Sequence, residues 1–347
     1  MHNESQSKSP MTATRRTFLR GGLAAATLGA TGVWLPETAA AATVPFVPYG
    51  ADSFFHSRVA GAPVDAAGTS SFKSFMKSHP DQRAFSWPKI TGTGSNQWGT
   101  TFHLSKSSDP VWKISAGTKS ETAILAGQGF HMADVVASRI PTGTQDRPFL
   151  IVDPVFGYSL FCADVVPNMS NRTIKVSAAA VFHHSSNGLD GRNPRSNDRR
   201  NWNSRGRITD SMVIRADVLK AAIANGTGLG YVLQMFFVET STSAGVCSPM
   251  VGAENNKSGW GAEGQRIAIR ADVHLPGRGL SDGALVVART LQQHGCYLGD
   301  NSGSSSQLKG EQSSPSYNPW AGTNVSVDCL KNKITWDDFV VLPKGWQ

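Results

Sequence analysis

The chain has 347 residues and a formal charge of +8, yet charged residues make up only 17% of it, beside 35 glycines, 18 prolines and 9 tryptophans. Sparse charge with abundant Gly, Ser, Thr and Asn argues against long amphipathic helices and for many short strands joined by turns. The cysteines Cys162, Cys247, Cys296 and Cys329 include no Cys-x-x-Cys pair, which argues against a zinc ribbon or a redox motif. Disulfides or buried thiols remain, and at least one bridge is expected.

The chain opens on Thr14-Arg15-Arg16-Thr17-Phe18-Leu19-Arg20, an apolar run from Gly21 to Val33, and the small residues Ala39-Ala40-Ala41. This resembles the twin-arginine (Tat) leaders of exported bacterial proteins. The apolar run rises only about 20 Å as a helix, short of a ~30 Å hydrocarbon core, and no later stretch is long enough to span a bilayer. Residues 1–41 are therefore read as a Tat signal peptide. Its removal takes away four basic and two acidic residues, leaving a formal charge of +6. The resemblance implies export of an already folded, soluble domain.

Residues 42–86, rich in Pro, Gly and Ser, read as an N-terminal arm packing on a core formed by residues 87–347. Strands are expected at 99–104, 111–115, 129–138, 149–153, 158–166 and 173–182, separated by Gly, Pro, Asn and Asp turns. Two short helices interrupt them. One runs from Asp217 to Asn225 and stops at Asn-Gly; the other starts at Ser281 or Asp282, places Ala284, Val287, Ala288 and Leu291 on one face, and stops at Gly295. Tyr231–Glu239 reads as a central strand, Arg266–Leu275 as an alternating one and Ile334–Leu342 as a closing one. The fold class expected is mainly β, a jelly-roll-like β-sandwich with two short helices.

Several constellations carry chemistry. Arg270, Asp272 and His274 would project from one face of a single strand, where histidine moves protons and arginine holds anions. Phe182-His183-His184 leads into a loop; on a strand only one of two successive histidines enters a given cleft. His183 with His131, and Asp134 or Asp153, forms a base or a weaker metal set. Arg192 to Arg207 is arginine-rich and includes Arg195 and Trp202, suited to an anionic polymer. Trp260 and Trp320 offer stacking surfaces or core anchors.

His294-Gly295-Cys296-Tyr297-Leu298-Gly299-Asp300-Asn301-Ser302-Gly303, an apolar helix running into a Tyr and then Asp-Asn-Ser-Gly, resembles a group of secreted soil-bacterial proteins. The resemblance reaches back through Gln128–Met132 and Gly264–Leu275. It implies a shared site but names no reaction; Asp300 and Asn301 also suit an Asx turn.

The expected function is a secreted carbohydrate-active enzyme, a glycoside hydrolase or polysaccharide lyase acting on an extracellular and possibly acidic polysaccharide. Its catalytic residues are expected to be His131, His183, Asp272, His274 and Asp300, with Arg195, Trp202, Arg270, Asn301 and Trp260 binding substrate. A hydrolase needs two carboxyls, for which Asp272, Asp300, Glu239 and Glu254 are candidates; a lyase needs a His or Tyr base. The alternatives are a non-catalytic binder of anionic glycans and, more weakly, a metal-dependent phosphoesterase using His131, Asp153, His183 and Asp300. No cofactor is expected, no nucleic acid, no membrane after leader removal, and a monomer.

Overall fold

Hydrophobic strands of four to seven residues, bounded by Gly, Asn and Asp turns, close into sheets rather than helices. The computed structural model describes residues 44–83, 85–96, 98–117, 125–142, 146–188 and 211–347. The described residues are β-rich, forming three sheets and a few short helices.

Two four-stranded sheets come first. One has β2 (Thr101–Leu104), β5 (Phe149–Asp153), β6 (Tyr158–Ala163) and β9 (Ala178–His183) in the order β2-β5-β6-β9. The other has β3 (Val111–Gly117), β4 (Gly129–His131), β7 (Val166–Asn168) and β8 (Thr173–Val176) in the order β4-β3-β8-β7. Trp112, Ile114 and Phe130 of one sheet and Phe149, Ile151 and Leu160 of the other bury together as a sandwich core. The strand expected over 129–138 ends at His131, and Asp134–Ala137 turns into a short helix, α3.

The third sheet is mixed and six-stranded. Its order is β1 (Lys89–Ile90), β13 (Gln307–Leu308), β10 (Leu233–Phe237), β12 (Cys296–Asn301), β11 (Arg266–Ile269) and β14 (Phe339–Val341). Three helices pack into its core, α1 (Ala66–Ser78), which the short helix α2 (Pro80–Arg83) follows, α4 (Ala216–Asn225) and α5 (Asp282–Gln293). The pairs β1–β13, β10–β12, β2–β5 and β3–β8 run parallel, unlike a purely antiparallel double Greek key. Helices α4 and α5 lie where the Asn-Gly stop and the Ser281-Asp282 start place them. Gly295 has φ +67°, and a Cβ there would stand 2.5 Å from the Ile267 carbonyl oxygen, so only glycine fits this helix end.

The segment before Trp87 contributes side chains to the core. Asp65 caps α1 by accepting from Gly68 N at 2.8 Å, and Phe54, Phe55, Phe72 and Met76 join the core of the six-stranded sheet. Only Phe72 and Met76 of α1 are fully buried, too few to stamp a helical period on the sequence.

All four cysteines are free thiols, Cys162 and Cys296 buried. The expected bridge is therefore absent. Burial alone pushes the Cys162 thiol far up, which keeps it protonated and inert.

Two histidines, His294 buried and His184 half-buried, give the fold an acid limit. His294 Nδ1 lies 2.9 Å from Ser57 O, so it donates there, and Nε2 is buried without a partner. Burial holds His294, and likewise His184, down to about 4 from the usual 6.5. The unfolded chain therefore binds protons more readily than the folded one below pH 6.5. Their stabilisation is complete above that value and is lost as pH falls towards 4. Thermal unfolding followed across this range should show a falling midpoint, and His294→Asn, which retains a donor near the Nδ1 position, should flatten the fall.

Candidate active site

The sandwich rim gathers polar groups from both of its sheets. Strand β5 ends at Asp153, whose carboxylate is fully buried. Its Oδ2 accepts from His131 N at 2.8 Å and faces His131 Nδ1 at 3.0 Å; its Oδ1 accepts from Val155 N and Phe156 N, each at 3.0 Å. A carboxylate can only accept, so Nδ1 carries a proton, and in the neutral imidazole Nε2 is the proton-accepting nitrogen. One buried group thus fixes both the tautomer and the orientation of the imidazole.

Tyr158 and His183 stand opposite each other in the β6–β9 register, with ring centroids 6.1 Å apart. Phe156 bridges the two halves of the cluster, its ring 4.3 Å from that of His131 and 6.0 Å from that of Tyr158. Tyr158 OH donates to Gly129 O and accepts from Gln128 Nε2 at 2.7 Å. His183 is half-buried. His184 turns to the opposite face, as the twofold period of a strand requires. It meets Ser159 Oγ at 3.0 Å and packs beside Phe46 and Tyr49.

The other expected residues do not join this cluster. Strand β11 stops at Ile269, and Val273 N bonds back to Arg270 O in a turn. Arg270, Asp272 and His274 consequently do not line one strand face; His274 precedes a 3-10 turn containing Pro276, and Arg270 Nε meets Asp272 Oδ1 at 3.5 Å in solvent. Because β11 is antiparallel to β12, the chain after Ile269 emerges where β12 begins. Asp300 and Asn301 lie at the other end, roughly 17 Å away along the strand. The single groove expected for His131, His183, Arg270, Asp272, His274 and Asp300 is corrected to three separate places. The four-residue set of the phosphoesterase alternative is likewise not assembled as a metal set among the described residues. Among the described residues no three His, Cys, Asp or Glu side chains converge as a metal set, and Asp134 is committed to Arg172 through two bonds of 3.0 Å.

Asp300 and Asn301 nonetheless form a second polar locus at the carboxyl ends of the parallel pair β10–β12, a frequent ligand position in open sheets. Asn301 Oδ1 accepts from Thr240 N at 2.6 Å, and its Nδ2 donates to Glu254 Oε2 at 3.0 Å and Glu263 Oε1 at 3.4 Å. Lys257 Nζ stands 3.1 Å from Glu254. Asp300 Oδ1 accepts from Asn301 N at 2.8 Å. Glu239, the remaining hydrolase candidate, accepts from Ser258 N at 3.2 Å.

The tryptophans serve the core. Trp260 donates to Ser71 Oγ at 2.9 Å and packs 5.0 Å from Phe72, so the stacking face expected of it is turned inward. Trp320 is buried, with its Nε1 on Gly92 O and Glu311 O. Arg195 and Trp202 lie outside the described residues.

From the sequence Asp153 reads only as a ligand or base partner, and Tyr158 and Phe156 do not stand among the expected residues. The available signal was Asp153-Pro154-Val155-Phe156-Gly157-Tyr158, a turn opening on an Asp that caps its own backbone and raises an aromatic residue at its tip. No helix of the described residues is long and apolar enough to cross a membrane. Compared with protein-family models, curated proteins and solved structures, the chain matches none.

Proposed function

We propose that this protein is a Tat-exported carbohydrate-active enzyme that cleaves an acidic polysaccharide by elimination at the sandwich rim. The observation that carries this reading is the His131–Asp153 pair, a largely buried imidazole, 8% exposed, whose ring is aimed by a fully buried carboxylate. Asp153 is wholly spent on four hydrogen bonds, so this rim offers one oriented base and not the two accessible carboxyls that hydrolysis needs.

In the proposed reaction His131 Nε2 takes the proton from the carbon next to the uronate carboxylate. The electron pair left behind forms a carbon–carbon double bond, the adjacent carbon–oxygen bond breaks, and the leaving oxygen takes a proton from His183 or water. Such a reaction needs positive charge on the uronate carboxylate, and the arginine-rich stretch that follows His183 in sequence supplies that residue type. We read the two packed four-stranded sheets as the jelly-roll-like part of the chain, holding these groups in place.

Hydrolysis has less support: Glu254 and Glu263 both accept from the Asn301 amide nitrogen, but Glu263 is fully buried, so this pair does not offer two accessible carboxyls. The products separate the two. The purified protein is to be incubated with polygalacturonate, alginate, xylan and glucan, following ultraviolet absorbance of unsaturated ends and total reducing ends. Elimination gives both signals in step; reducing ends without absorbance would mean hydrolysis and overturn the His131 base, and no turnover of any polymer would leave a binding protein.

A further inference from the structure

We propose that Phe156 is a stacking platform for a pyranose ring of the polysaccharide, a binding subsite directly beside His131; the inference rests on the sandwich-rim reading and assigns it a sugar-contacting surface. Large apolar side chains on a turn tip are normally tolerated singly. Here three sit together, with Phe156 44% exposed, Val155 47% and Val111 44%.

Gly129 forms the floor between them. A Cβ at that position would lie 3.4 Å from Val111 Cγ1 and 3.5 Å from Phe156 Cε2, so the glycine keeps the shelf flat and joins its two sides.

The platform is built, not merely exposed. Asp153 Oδ1 holds the amides of Val155 and Phe156, and Gly157 N closes the turn on Asp153 O at 2.9 Å. The same carboxylate therefore places the Phe156 ring and orients His131, and the ring is buttressed by both His131 and Tyr158. An aromatic face fixed in advance loses little conformational freedom on binding. Its chemistry suits the C–H face of a sugar ring, whose hydroxyl rim would meet Gln128, His131 and His183.

Affinity electrophoresis of the full chain in gels containing polygalacturonate, alginate or xylan tests this. The wild type is expected to be retarded by at least one polymer. Phe156→Ala should weaken that binding about tenfold with an unchanged unfolding midpoint, and Phe156→Trp should restore it. Wild-type-like retardation of Phe156→Ala, failure of the tryptophan to rescue, or no retardation by any polymer would each overturn the platform. The result is independent of the base assignment: if His131→Gln keeps its turnover, elimination by His131 fails while the Phe156 binding data still decide this proposal.

Discussion

Arg266→Ala is expected to destabilise the folded chain by about 1–3 kcal/mol, the cost of leaving a buried acceptor unsatisfied, with lost packing added to it. Arg266 is 1% exposed and has no carboxylate within ion-pair distance among the described residues. Its donors go instead to neutral acceptors. Nε and Nη2 reach His294 O at 3.0 and 2.6 Å, Nη2 also reaches Ser57 O at 2.8 Å, and Nη1 reaches Ser57 Oγ at 2.8 Å and Tyr297 OH at 3.3 Å. The guanidinium also lies 5.1 Å from the Tyr297 ring and 5.0 Å from the Trp346 ring.

His294 caps the carboxyl end of α5, where the helix dipole is negative and favours a cation. The arginine thus ties the segment before α1, the end of α5 and the C-terminus to the six-stranded sheet. Truncation strands the buried His294 carbonyl, while Ser57 O keeps its bond from His294 Nδ1. Denaturant unfolding measures the loss, and a change below about 1 kcal/mol, the level of an exposed pair, would show that the clamp contributes nothing beyond packing.

Asp153→Asn is expected to lower turnover by about 10²–10⁴-fold, the range of a misoriented general base. An amide has one accepting oxygen where the carboxylate has two. Its NH2 group would face either the His131 donors or the Val155 and Phe156 amides, and donor would meet donor. Either outcome releases the imidazole tautomer or the turn. A steady-state comparison of kcat between wild type and Asp153→Asn checks this, together with an unfolding curve expected to shift by ~1–3 kcal/mol for the unsatisfied buried group. A fall in kcat of less than tenfold would mean that Asp153 serves the turn alone.

The elements legible in the sequence were those whose signal is local. The Asn225-Gly226 and His294-Gly295 stops, the Ser281-Asp282 start and the β5 run Phe149–Asp153 each depend on side chains and backbone within a few residues, and they stand where that chemistry places them. Arg266–Leu275 misled because Ile267, Ile269, Val273 and Leu275 are all buried, which reads as a single alternating strand. The ladder in fact ends at Ile269, and a turn followed by Pro276 buries the rest. Helix α1 escaped because its small residues carry almost no periodic signal.

The site shows the same division. That His183 and His184 face opposite ways follows from strand geometry alone. That Asp153 reaches His131 across two sheets depends on how those sheets pack, which no local pattern encodes. Asp272 and Asp300 were grouped with the histidines by residue type, yet strand direction sends them to different ends of another sheet.

The most direct test of His131 as the working base is His131→Gln, which retains a donor and the approximate side-chain volume but has no proton-accepting nitrogen. Initial rates of unsaturated-end formation on the polymer that the wild type cleaves should fall by about 10²–10⁴-fold with binding to that polymer retained. Formation of unsaturated ends at the wild-type rate would contradict the account.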